Sequence, residues 1–163
     1  MPATSRIDQL KTELAKVAAE AKSAEELMSR MCKLLHESML KYNWVGFYML
    51  EQAPPAQQPM LVLGCFEGAM TPHTRIALNQ GICGAAASSG KTVVVDDVSK
   101  DPRYLACSLE TKSEIAVPIF ARGKLAGELD IDSHFPAAFG DNDRKFVEYC
   151  ADLVGKQLSE TAR

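Results

Sequence analysis

Three acidic residues, Glu114, Asp130 and Asp132, lie in two short apolar segments where carboxylates are unusual. Alternation along the second segment puts Asp130 and Asp132 on one face, roughly 7 Å apart, because residues i and i+2 of a strand point the same way. In the first segment, Glu114 lies on the face opposite to the isoleucines. Antiparallel pairing of the two segments brings Glu114 toward the aspartates. Core strands rarely carry carboxylates without a cation, so the cluster predicts a small cationic ligand such as an ammonium group. The alternative is that these carboxylates lie on the solvated face of an antiparallel sheet.

Two of the five cysteines have surroundings that favour thiol chemistry. Cys107 precedes the polar run SLETKS, which predicts a thiol that solvent can reach. Cys83 falls in the first turn of a predicted short helix, 81–90, where free N–H groups and the helix dipole favour a thiolate. The alternative for Cys83 is a small side chain buried in an alanine-rich packing helix. Cys32 and Cys150 fall beside or within apolar helical stripes, which predicts buried, unreactive thiols.

An aromatic segment, 43–50, is typical of a strand and has Trp44, Gly46 and Tyr48 on one face. Two aromatic rings on either side of a glycine could wall a pocket, with the glycine leaving room for a ligand. Packing of the same rings in the core is the competing interpretation.

The candidate residues must be positioned by secondary structure. The sequence predicts a single α+β domain spanning 1–163. Apolar residues at helical spacing predict N-terminal helices within about 5–40, and a C-terminal helix is expected from a cap at Asp141 to about 158. The sheet and pocket occupy about 43–133, with a hairpin of strands 114–120 and 124–133 around a turn at Arg122-Gly123. We expect an antiparallel sheet with the terminal helices on one face and the ligand side on the other.

Composition limits the partners. The 163 residues carry a net charge of −3 without a basic run, which argues against nucleic acid and anionic membrane as partners. The N-terminus has no apolar segment of the kind that directs secretion, so we expect a cytoplasmic protein. A reducing compartment, with an odd number of cysteines and no CxxC pair, argues against a structural disulfide framework and leaves buried thiols, metal binding or redox chemistry.

The motifs NWVGFY, QGICGAAA, CSLETKSEI and GELDIDS resemble those of a GAF domain, and more narrowly those of the free methionine-(R)-sulfoxide reductases. The resemblance extends from about Arg6 to Gln157. It implies a GAF-like fold: a central antiparallel sheet of six strands, with helices packed on one face and a closed pocket on the other, in a homodimer. It also implies thiol-dependent reduction of free L-methionine (R)-sulfoxide, with thioredoxin as the external reductant and no bound cofactor.

The resemblance also implies roles for individual residues. Cys107 falls where the family has the cysteine that attacks the sulfoxide and becomes a sulfenic acid, and Cys83 matches the cysteine of the family's GVCG motif. A second thiol then condenses with the sulfenic acid to give a disulfide. The substrate-binding residues implied are the acids that hold the ammonium group and the aromatic walls of the pocket: Glu114, Asp130, Asp132, Trp44 and Tyr48.

The chain departs from the family pattern at two positions. His73 occupies the place of the first family cysteine, so resolution of the sulfenic acid falls to Cys83, to Cys65 on a nearby strand or to a small thiol. Glu128 stands where an apolar residue is commoner, and alternation directs it toward the aspartates, where it alters the pocket or lies at its rim.

Two further interpretations stay open. His73 either raises the thiolate content of a nearby cysteine or is a surface-loop histidine, and its spacing from Cys83 and Cys107 is unlike that of compact zinc motifs, so no metal is expected. The missing cysteine also allows a different class of protein, a non-catalytic GAF module that senses a small molecule.

Overall fold

The computed structural model describes residues 5–51, 58–105 and 110–161. The helices are α1 (Arg6–Glu20), α2 (Ala24–Ser38), α3 (Gly81–Ser89) and α4 (Asp141–Thr161), with a short 3-10 helix at Val98–Lys100. The strands are β1 (Trp44–Glu51), β2 (Met60–Glu67), β3 (Arg75–Ala77), β4 (Val93–Val95), β5 (Ser113–Ala121) and β6 (Lys124–Ser133).

One antiparallel sheet contains these six strands in the order β3-β2-β1-β6-β5-β4. The predicted hairpin forms its centre, since β5 and β6 pair along their whole length. Its two-residue turn has positive φ at both Arg122 (54°) and Gly123 (77°). This turn conformation matches the twist of the two strands. The α+β prediction with an antiparallel sheet of about six strands is confirmed.

Three helices cover one face of the sheet. Apolar side chains of α1, α2 and α4, including Leu14, Leu35 and Phe146, are buried against alternate residues of the central strands such as Val117 and Leu129. Because these strands place their remaining residues on the opposite face, the charged positions of β6 are directed away from this core. The expectation that the terminal helices share one face is therefore confirmed.

Local sequence signals set most helix ends. The backbone N–H of Glu26 donates to Ser23 Oγ at 3.1 Å, which is the cap that the sequence predicts for α2. Gly90 ends α3 in the left-handed conformation (φ 69°), as expected for a C-terminal glycine. The prediction for Asp141 is wrong in detail, because Asp141 is the first helical residue of α4, and the carboxylate of Asp143 accepts the backbone N–H of Gly140 instead. The helix also continues past 158 to Thr161.

Within the three described ranges, no helix has both the length and the apolar content needed to cross a lipid bilayer.

Candidate active site

A row of carboxylates runs along the face of the sheet opposite the three-helix core. Glu128, Asp130 and Asp132 alternate along β6, and the pairing of β5 with β6 places Glu114 directly across from Asp132. All four are buried, with 0 to 5% of their surface exposed. The predicted convergence of Glu114 with the two aspartates is therefore present, and the solvated-face interpretation is wrong for these residues.

Burial dominates the electrostatics of this row. Loss of hydration raises the pKa of the Glu114, Asp132 and Glu128 carboxyls well above their ordinary range, and repulsion from neighbouring carboxylates adds to the effect at Glu114 and Asp132. Each carboxyl therefore tends to keep a proton while no cation is bound, and a cation entering the row displaces protons from it. Such a row of buried acids is chemically suited to a cation.

The strand β1 contributes an aromatic wall next to the carboxylates. Trp44 and Tyr48 are almost fully buried, with ring centroids 6.2 Å apart, and the Trp44 ring stacks on Phe66 at 5.7 Å. The indole N–H donates to the Ala69 carbonyl at 3.0 Å, and the Tyr48 hydroxyl donates to the His73 carbonyl at 2.7 Å. These hydrogen bonds fix both rings in place.

The role expected for Gly46 needs correction. A Cβ atom at this position would lie only 2.3 Å from the Trp44 ring, so the indole itself occupies the space above the glycine. Gly46 therefore makes room for the tryptophan and not for a ligand.

Cys83 reaches the carboxylates from helix α3. Its Sγ lies 4.0 Å from Glu114 Oε2, in hydrogen-bonding range for sulfur, and ligand atoms of Cys83, Glu114 and Asp130 all lie within 4.8 Å of one another. The helix can approach this closely because Gly84 faces the Ala77 carbonyl, which a Cβ would meet at 2.9 Å. The thiol thus belongs to the same recess as the acids.

The helix N-terminus is predicted to favour a thiolate at Cys83, but other groups in the fold have the larger effect on its pKa. Burial, together with the charges of Asp130, Glu128 and Glu114, raises the pKa of the thiol well above its usual value. Burial is the larger effect and, with the nearby acids, outweighs the partial positive charge of a nine-residue helix, so the site favours the protonated thiol over the thiolate.

Two small cavities border the recess. One, of about 80 Å³, lies beside Asp132 and Trp44, and the other, of about 10 Å³, lies between Cys83, Tyr48 and Asp130. The smaller holds about one water molecule, and an amino acid is larger than either. Leu105 lines the smaller cavity and Glu110 lines the larger one.

The structure separates the remaining candidates. Cys65 belongs to the helix side of the sheet, where its Sγ lies 4.0 Å from that of Cys32, whereas Glu128 is inside the recess and not at its rim. His73 is half-buried and contributes its carbonyl to Tyr48. Cys107, the predicted nucleophile, lies outside the described residues.

Several polar residues of the larger cavity were missed by sequence reasoning. Thr71 and Thr111 are both buried beside Asp132, and the Asn43 side chain accepts the backbone N–H of His134 at 2.7 Å. They lie in turns and strand ends without hydrophobic periodicity, so the pattern of the sequence carries no signal for them.

Comparison with known proteins supplies the family. A family profile described as GAF domain matches residues 23–158. The chain belongs to the GAF domain family. It resembles the free methionine-R-sulfoxide reductases within it: the protein of that name from Saccharomyces cerevisiae is 41% identical over 115 residues, covering 70% of this chain and 62% of the yeast protein. The Escherichia coli protein of the same name is 33% identical over 128 residues, covering 78% of this chain and 73% of its own length.

A solved structure extends the likeness to three dimensions. The free methionine-R-sulfoxide reductase of Neisseria meningitidis, determined in complex with its substrate, superposes with a TM-score of 0.87 at 31% identity. The match covers all of this chain and 97% of the Neisseria chain. The GAF fold expected from the sequence is therefore confirmed.

Proposed function

We propose that this GAF domain protein reduces free L-methionine (R)-sulfoxide to methionine by thiol chemistry. The observation that carries the proposal is the buried group formed by Cys83, Glu114, Asp130 and Asp132, which combines a thiol with acids that lack hydration. The relatives named for this activity, and the Neisseria structure with its substrate, support the same reaction.

The acids account for selection of a free amino acid. A free methionine sulfoxide carries an ammonium group, and a methionine within a peptide does not. Buried carboxylates whose pKa values are raised gain a partner when the ammonium enters, while a substrate without it leaves the acids unpaired. The rings of Trp44 and Tyr48 suit the methyl thioether end, since sulfur makes favourable contacts with aromatic rings.

We propose Cys107 as the nucleophile. Cys83 is held as a thiol by burial and by neighbouring carboxylates, which makes it a weak attacking group. Leu105, two positions before Cys107 in the sequence, lines the cavity that contains Cys83, and this supports the assignment.

The proposed reaction has two thiol steps. The Cys107 thiolate attacks the sulfoxide sulfur and forms an S–S bond to it. The sulfoxide oxygen takes up a proton and passes to the Cys107 sulfur while the substrate S–O bond and the new S–S bond break, so methionine leaves and Cys107 becomes a sulfenic acid. The Cys83 thiol then condenses with that sulfenic acid to form a disulfide and water. In sum, one sulfoxide and two thiols give one thioether, one disulfide and one water.

Glu114 is suited to assist the second step. Once methionine has left, the recess holds carboxylates without their ammonium partner, and burial makes them basic. Cys83 already donates its hydrogen bond to Glu114 Oε2 at 4.0 Å, so this carboxylate accepts the proton as the Cys83 sulfur attacks. Product release thereby prepares the resolving thiol.

Cys83 is the favoured resolving residue because His73 replaces the family cysteine and Cys65 lies behind the sheet. A small thiol that reduces the sulfenic acid directly is the other route. We further propose that thioredoxin opens the disulfide, that the protein acts in the cytoplasm, and that it is a homodimer, as the family resemblance implies.

The test is a coupled assay with thioredoxin, thioredoxin reductase and NADPH. We expect NADPH oxidation with the R epimer of free methionine sulfoxide, little with the S epimer, and little with N-acetylmethionine sulfoxide, which has no ammonium group. Equal rates with the free and N-acetylated substrates contradict the role of the acids, and an inactive protein with all thiols reduced contradicts the activity.

The second candidate is a non-catalytic module that binds a free amino acid. His73 at the position of a family cysteine favours it. Calorimetry distinguishes the two, because a sensor binds methionine sulfoxide with a measurable heat and releases no methionine.

A further inference from the structure

Glu128 is the one carboxylate of the row that the proposed reaction has not used. Its side chain has 0% exposure, and neither carboxylate oxygen has a hydrogen-bond partner of ordinary geometry among the described residues. Leaving a buried acid without partners is costly to the fold, so a residue of this kind points to a ligand or a reaction.

Every element packed against Glu128 contributes a titratable group to its surroundings. Asp130 follows it on β6, Tyr48 lies opposite on β1, and Cys83 faces it from α3, while Glu114 on β5 adds a further charge. Its direct partner on β5 is Pro118, which does not titrate. Burial has the largest effect on Glu128 and raises its pKa, while of these groups the Cys83 thiol favours the ionised form and Glu114 disfavours it by repulsion.

The number of charges leaves this residue protonated. The row has four carboxyl groups, and a bound amino acid brings one ammonium group to meet them. Asp132 and Glu114 form one end of the row and Glu128 the other, so the ammonium held at the first end leaves Glu128 without a cation. Burial then raises its pKa well above the ordinary value, and the group stays a neutral acid.

The spacing of the acids along β6 can be compared with the length of methionine sulfoxide. Glu128 and Asp132 are four residues apart on β6, which spans about 13 Å, with Asp130 midway at roughly 7 Å. In extended methionine sulfoxide four covalent bonds separate the ammonium nitrogen from the sulfur, or about 5 Å. A substrate whose ammonium lies between Asp132 and Asp130, and whose chain runs along β6, brings its sulfoxide close to Glu128.

We propose that Glu128 is a further catalytic residue, the acid that donates a proton to the sulfoxide oxygen. The inference rests on the proposed function. As the oxygen passes from the substrate sulfur to the Cys107 sulfur, Glu128 donates its proton to that oxygen, the substrate S–O bond breaks, and the thioether leaves with an electron pair on its sulfur. The products are the Cys107 sulfenic acid, methionine and the Glu128 carboxylate, which is reprotonated by the proton that Cys107 lost on ionising.

The experiment follows one turnover without any reductant. Fully reduced protein is mixed with methionine (R)-sulfoxide, and released methionine is measured against time between pH 5.5 and 9.5, for the unaltered chain and for Glu128→Gln. Glutamine keeps the size of the side chain and cannot give up a proton. The matched control is Asp152→Asn, which alters an exposed carboxylate on α4.

We expect Glu128→Gln to lower the single-turnover rate by about 10²- to 10⁴-fold, the usual contribution of a general acid. We also expect the fall in rate at high pH, which marks loss of the Glu128 proton, to be present in the unaltered chain and in Asp152→Asn and absent from Glu128→Gln. Affinity for the product methionine, measured by calorimetry, stays within about threefold, which separates proton donation from a purely structural effect.

Two results overturn this inference while leaving the proposed function intact: an unchanged rate in Glu128→Gln, or a slower rate that keeps the fall at high pH. If the unaltered chain releases no methionine at all, the proposed function fails and the inference fails with it.

Discussion

The buried acids make a specific prediction about the pH dependence of folding. Glu114, Asp132 and Glu128 have pKa values that are raised in the folded protein, mainly by loss of hydration. In the unfolded chain each returns to its ordinary value near 4. Above that value the folded state holds protons that the unfolded state has released, so the free energy of unfolding of the ligand-free protein falls as pH rises.

The slope can be worked out from the number of retained protons. Each proton that the folded state retains and the unfolded state has released lowers the free energy of unfolding by about 1.4 kcal/mol per pH unit. Exposed acids whose pKa values are lowered, such as Asp97 and Glu51, act in the opposite sense only at lower pH. The informative window therefore begins near pH 5.5.

The perturbation is Glu128→Gln, which removes one titrating group without changing the size of the side chain. We expect its unfolding free energy, from urea titrations at several pH values between 5.5 and 8, to decline less steeply than that of the unaltered chain by about 1.4 kcal/mol per pH unit. The Asp152→Asn variant supplies the control and should follow the unaltered chain. Parallel lines for Glu128→Gln and the unaltered chain would refute the reasoning, because they would show that Glu128 ionises equally easily in both states.

Three further predictions concern individual residues of the site. Glu114→Gln should lower kcat/KM for free methionine sulfoxide by about 10- to 100-fold, the value of one charged hydrogen bond, and should narrow the preference over the N-acetylated substrate in the coupled assay. With thioredoxin as the reductant, Cys83→Ser should release one methionine per chain and then stop turning over. Cys65→Ser should turn over normally, because the Cys65 sulfur lies on the helix side of the sheet. Normal turnover by Cys83→Ser contradicts the resolving role of Cys83. Gly46→Ala should destabilise the protein by about 1–3 kcal/mol in urea titration, because the added Cβ meets the Trp44 ring at 2.3 Å, and an unchanged midpoint contradicts that contact.

Local patterns were sufficient to predict the central hairpin and the acid cluster. Alternation along β6 places Asp130 and Asp132 on one face, which is short-range geometry that the sequence carries directly. The turn pairs Ala121 with Lys124, but a one-residue bulge between Leu125 and Gly127 then shifts the register, and this shift brings Glu114 opposite Asp132.

The position of Cys65 shows what alternation cannot predict. Leu61 and Leu63 pack on the recess side, and strict alternation would put Cys65 there as well. The register shifts by one residue within β2, because Phe47 of β1 lies opposite two residues of that strand, and this bulge turns Cys65 toward the helices. A single inserted residue reverses the face of everything after it, and nothing in the composition of β2 marks the insertion.

The properties of Gly46 and Cys83 depend on tertiary contacts in the same way. The strand pattern correctly places Gly46 beside the aromatic residues, yet only the fold shows that the Trp44 ring occupies the space above it. The helix position of Cys83 favours a thiolate, but carboxylates from β5 and β6, more than 30 residues away in sequence, reverse the effect. Effects of distant strands on a side chain are beyond what local sequence can predict.

The most direct test of the thiol mechanism is mass spectrometry of disulfide-linked peptides after reduced protein reacts with one equivalent of methionine (R)-sulfoxide. The account predicts one methionine released per chain and a single new cross-link that joins Cys107 to Cys83. Methionine release with Cys107 left as a free thiol, or with a cross-link between Cys32 and Cys65 only, would contradict it.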